Sequence, residues 1–141
     1  MYVYFTSILV FSMMFIGPFM PGITVDNYGR MVVDREKAKA GITKVIPCRK
    51  AENADRCKTA LSQIDEMAAA VDEYNASFAK NGKDVAALYM KYDSKPEDFQ
   101  KVYNLMDAQR DKGQKKLMDA RFKMKDAMTA EEWGKLFNMG K

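Results

Sequence analysis

Two stretches of the chain repeat apolar residues every three or four positions, and that period decides the fold class. In the first, Cys57, Leu61, Ile64, Ala68, Val71, Asn75 and Phe78 step by fours and threes, with Met67 and Tyr74 widening the stripe. In the second, Phe99, Tyr103, Met106, Arg110, Gly113, Leu117, Ala120, Met124 and Ala127 do the same. Each stripe needs a surface to lie on, and the cheapest one is the other stripe. The expectation is an all-α protein whose body, residues 51–141, is an antiparallel helical hairpin with a coiled-coil-like seam and short extra helices. Arg110 and Gly113 are weak seam positions. A glycine there costs about 1 kcal/mol relative to alanine, so the second rod is expected to be continuous but locally weakened.

Local punctuation divides the hairpin further. Asn81-Gly82-Lys83 reads as a helix stop, followed by a short helix capped by Asp84 and running through Val85–Tyr92. In Ser94-Lys95-Pro96-Glu97, the serine can cap the next helix, Glu97 can bond back, and Pro96 occupies the first turn. Thr129-Ala130-Glu131-Glu132 forms another capping box, so the long helix is expected to end near Met128. A short amphipathic helix bearing Trp133, Leu136 and Phe137 then folds back on the hairpin.

Ahead of the hairpin, Tyr2 to Val25 carries no charge. Twenty-four residues of helix would span about 36 Å, enough to cross a bilayer. Gly17-Pro18 interrupts that run, and no basic residue or Ala-x-Ala site makes it an ordinary cleaved signal. Residues 1–25 are therefore read as a signal peptide or a membrane anchor, with cleavage open. Residues 26–50 lack sustained periodicity and read as a linker, with one helical turn near Asp34–Ala40. The basic excess after the leader favours a cytoplasmic body, whereas the signal-like break favours export, and export is preferred. Cys48 and Cys57 stand at a spacing that can close a disulfide at the entrance to the first rod, which suits an oxidising compartment; two unconnected thiols are the other reading.

Composition excludes more chemistry than it suggests. The chain has no histidine, which removes Ser-His-Asp and Cys-His catalysis, His-ligated zinc and c-type haem attachment. No phosphate loop or nucleophile elbow is present, and the carboxylates alternate with Lys and Arg at helical spacing. No catalytic residue, cofactor or metal is expected. The surface feature left is the basic run Arg110, Lys112, Lys115, Lys116, Arg121, Lys123 and Lys125, a candidate partner-binding face diluted by Asp111, Asp119 and Asp126. Nucleic-acid binding is disfavoured, because no recognised module or basic–aromatic interleaving accompanies it. Lipid headgroups or an acidic partner suit the same face if the leader keeps it near a membrane.

Met128-Thr129-Ala130-Glu131-Glu132, at the end of a basic amphipathic helix and followed by Trp133, resembles the Leu-Thr-x-x-Gln signature of the Spy/CpxP-type periplasmic proteins. Met stands for Leu and Glu for Gln, and the second copy usual in that family is missing. The resemblance implies a bacterial envelope protein that binds unfolded clients or senses stress, as a leaderless dimer and without a metal site. The residues themselves favour a plainer role, a non-enzymatic accessory subunit tethered by residues 2–25 whose helices dock on a protein partner.

Overall fold

The computed structural model describes residues 20–28 and 30–139. The reading of residues 2–25 as leader or anchor therefore lies almost wholly outside them. Among the described residues no helix is long and apolar enough to cross a membrane.

The order of elements is β1 (Ile23–Val25), β2 (Met31–Val33), α1 (Arg35–Val45), a single 3-10 turn at Ala51–Asn53, α2 (Ala54–Met90), α3 (Pro96–Asp126) and α4 (Ala130–Asn138). The expected helical hairpin is present as α2 and α3, and α3 runs unbroken through Gly113. Gly113 sits beneath Tyr74, where an added Cβ would lie 3.6 Å from the ring. That is ordinary contact distance, so the seam has room for a small side chain here, and the glycine does not break the helix.

Three expectations are corrected. Residues 26–50 are no linker: Asp34 caps α1 by accepting from the Lys37 amide at 3.1 Å, and Ala38, Gly41 and Ile42 face the core. Arg35 pairs with Asp72 and Lys39 with Asp65, so α1 runs antiparallel to α2. Before it, β1 and β2 pair antiparallel with Thr24 opposite Val32. Asp26 closes their turn by accepting from the Tyr28 and Arg30 amides, each at 2.9 Å. Second, α2 does not stop at Asn81-Gly82-Lys83 but continues to Met90. Asn81 is buried and donates to Gln109 across the seam, and that pairing holds the helix together where the local sequence favours a turn. Third, α3 begins one residue later than expected. Lys95 is its cap residue, with its amide bonded to Asp98 at 3.0 Å, while the Ser94 hydroxyl donates to the Leu88 carbonyl at 2.7 Å.

Packing is concentrated at one end. Ile42, Ile46, Ile64, Leu117, Met124 and Leu136 are all under 2% exposed and form the centre of a core shared by α1, α2, α3 and α4. We call this end the base. Its core stops at Val71 on α2 and resumes at Leu117 on α3. Beyond those residues the hairpin projects as a two-helix arm. At 1.5 Å per residue the 37 residues of α2 make a rod of about 55 Å, and roughly half of it belongs to the arm.

Gly22 fixes how the chain enters the base. Its φ is +84°, and a Cβ there would stand 2.5 Å from the Ala38 nitrogen. Only glycine adopts this conformation cheaply at such close range. It brings Pro21 against Gly41, which also lies beside Leu136 of α4.

Candidate partner-binding surfaces

The base end is tied by covalent and polar links. Cys48 and Cys57 form a disulfide with Cα atoms 5.5 Å apart, so neither thiol is free for redox chemistry or metal binding. The bridge joins the loop after α1 to the first turns of α2.

The Met128–Glu132 motif is structural in this fold, and its anatomy is clear. Met128 is buried in the core. Thr129 caps α4: its hydroxyl accepts from the Glu132 amide at 3.2 Å, and its own amide donates to Glu132 Oε1 at 2.9 Å. Glu132 has a further partner that local sequence does not reveal. Arg56 of α2 donates to its carboxylate at 2.7 Å, to the Ala127 carbonyl at 3.1 Å and to Asn53 Oδ1 at 2.8 Å. One guanidinium therefore ties together the start of α2, the end of α3 and the start of α4. Burial pushes the Glu132 carboxyl up, but Arg56 and the Thr129 amide and hydroxyl outweigh it and leave the group below its ordinary range. Only a fold that brings together positions 56 and 132 exposes this role of Arg56.

Trp133 continues from the motif to the surface. Its ring centroid lies 4.7 Å from that of Phe137, and Arg121 of α3 stacks over it at 5.3 Å. The same guanidinium lies 5.5 Å from the Phe122 ring. Arg121 thus bridges two aromatic side chains at the junction of α3 and α4.

The basic run does not form one face. Lys112 and Lys116 reach across the seam to Glu73, and their two ammonium groups, Lys116 first, hold that carboxyl down at about 2. Lys123 joins Lys116 along the groove on that side, a depression of about 370 Å³ that is also lined by Glu66, Glu73 and Asp119. Arg110 pairs with Asp107 and Asp111. The remaining three, Lys115, Arg121 and Lys125, turn outward. With Met118 and Phe122 they span an arc of about 120° on α3 at 100° per residue. Met118 is 40% and Phe122 44% exposed, and Asp119 and Asp126 fall just outside the arc.

The arm supplies a second surface. Of residues 72–112, all of them described, no large apolar side chain is buried. Tyr74, Val85, Leu88, Phe99, Val102, Tyr103 and Met106 are half-buried, while Phe78 and Leu105 are exposed. At the tip Met90 is 83% exposed and Tyr92 fully so, beside Tyr89, which meets Phe99 edge-on at 5.1 Å. Sequence periodicity found the stripe but not its exposure, because periodicity does not say how many neighbours will cover it.

Among the described residues no group of three or more His, Cys, Asp or Glu side chains is placed to hold a metal. Comparison with known proteins gives no match to a family model, to a curated protein or to a solved structure.

Proposed function

We propose that this chain is a non-enzymatic accessory protein, tethered by its apolar N-terminal segment, that engages a protein partner through the hairpin arm. The observation that carries this reading is the contrast between the two ends. The base buries its largest apolar residues in a common core, whereas no large apolar side chain of the arm is buried and Phe78, Tyr89, Met90, Tyr92 and Leu105 are exposed. Tyrosine and methionine at the tip suit such a contact, since the first gives rigid amphipathic area and the second adapts to an irregular surface. The disulfide supports folding on the oxidising side of a membrane.

The test uses native detergent extracts and the double variant Met90→Ser/Tyr92→Ser, which touches no buried residue. The full chain is expected to migrate in a complex well above its own 16.1 kDa, and the variant to migrate alone while keeping its melting temperature. Wild-type protein found alone, or an unchanged complex in the variant, refutes the arm as the docking element. A second reading, a Spy-like envelope chaperone, draws on the same exposed aromatics. It requires a leaderless protein that suppresses aggregation of an unrelated unfolded client, and an intact mass that retains residues 1–19 would exclude it.

A further inference from the structure

Charge is distributed unevenly between the two ends. Residues 72–112 contain seven basic and eight acidic side chains, while the rest of the chain contains sixteen and eleven. The arm is therefore close to neutral, and the net +4 of the molecule belongs to the base. Part of that charge collects on one patch. Lys115, Arg121 and Lys125 rim Met118 and Phe122 on the outer face of α3, and Arg121 carries the patch onto Trp133 of α4. Lys115 and Lys125 form no ion pair with any described residue, in contrast to Lys112 and Lys116, whose charge Glu73 partly offsets.

The patch is close to the point from which the uncharged segment departs. Pro21 packs on Gly41, a Cβ added at Gly41 would stand 3.4 Å from Leu136, and Trp133 lies one turn earlier on the same short helix. Trp133 of the patch and Leu136 beside Gly41 thus lie about 60° apart on α4, at 100° per residue, so both border the same helix. A cation-rimmed apolar surface that includes tryptophan has the composition of a membrane-interface element. A partner protein would have to supply an acidic, apolar complement. A bilayer that holds residues 1–19 supplies both parts at the required place.

We infer that the base rests on an anionic bilayer surface through Lys115, Met118, Arg121, Phe122, Lys125 and Trp133, with the axis of α3 lying along that surface. The inference rests on the tethered reading above, and its test separates the two. Each cation beside an anionic leaflet shifts partitioning about fivefold, so the three together shift the docked-to-free ratio about 100-fold.

Trp133 is the only tryptophan in the chain and reports directly. The full chain is reconstituted into phosphatidylserine-containing vesicles with bromine on the acyl chains, and into phosphatidylcholine vesicles brominated in the same way. Flotation with the vesicles tests the tether, and bromine quenching of Trp133 tests the face. Strong quenching in the anionic vesicles is expected, with little in the zwitterionic ones. Quenching should fall away in 0.5 M salt, roughly a Debye length of 4 Å, and in Lys115→Gln/Lys125→Gln, which keeps the Arg121–Trp133 stack intact. Protein that floats with Trp133 unquenched, or quenched equally in both lipids, overturns the docking face and leaves the tether standing. Protein that fails to float overturns both. If an acidic protein partner is the true occupant, the first of these results will be seen.

Discussion

Removing Arg56 is the sharpest test of how the base is held. Its side chain is one-third exposed, whereas its partner Glu132 is 10% exposed and lies within salt-bridge distance at 2.7 Å. Arg56→Ala therefore deletes charged hydrogen bonds to Glu132, the Ala127 carbonyl and Asn53, and leaves a carboxylate with little water to turn to. Breaking a fully buried pair costs about 3–5 kcal/mol. Partial exposure of the guanidinium lowers this, and we expect about 2–3 kcal/mol. Glu132→Gln keeps an oxygen for the Thr129 amide and loses only the charge, so about 1 kcal/mol is expected. In a double-mutant cycle the pair should couple by about 1–2 kcal/mol. Urea denaturation at pH 7 with the disulfide intact measures all three variants. Strictly additive effects, within about 0.4 kcal/mol, would show that Arg56 acts by packing alone and would refute the clamp.

Gly22→Ala should destabilise by more than 2 kcal/mol on the same assay, since its Cβ meets the α1 backbone and φ is positive. By contrast Gly82→Ala, with open space around it and a helical backbone, should stabilise by about 0.5–1 kcal/mol. Reducing the Cys48–Cys57 bridge and alkylating both thiols should cost about 2–3 kcal/mol, read as a lower urea midpoint, because the closed loop is short. On acidification the melting temperature should hold near neutrality and then fall. Glu73, Glu131, Glu132 and Asp26 all have folded values below their ordinary ones, so their contribution is full above about pH 4.5 and is lost as pH drops through the folded values, about 2 for Glu73. Circular dichroism melts between pH 7 and pH 2 would show it, and a melting temperature that rises in that interval would contradict it.

The hairpin was legible because its stripes are long and use large side chains. The helix α1 was not, although Ala38, Gly41, Ile42 and Val45 have the right spacing, because alanine and glycine mark a buried face weakly. The two strands are three residues each, too short for alternation to register. At residues 81–83 the local sequence favours a turn and points to a helix stop, but the helix runs through, with Asn81 meeting Gln109 across the seam. The Thr129 capping box was found where expected, since capping is local. The basic run was misleading for a geometric reason: neighbours in sequence are 100° apart on a helix, so one run supplied an ion-paired set and an outward set. Arg56 had no sequence signal, as its value lies in meeting residues more than 70 positions away.

The contact between Gly41 and Leu136 also governs the order in which the molecule can be completed. Among the described helices α1 emerges first during synthesis and finds α2 early, but the surface that closes over Gly41 is made only after α3 is complete. Until residue 136 is available, that early segment carries an apolar flank with no lid. A chain truncated before Ala130 would leave this flank open permanently.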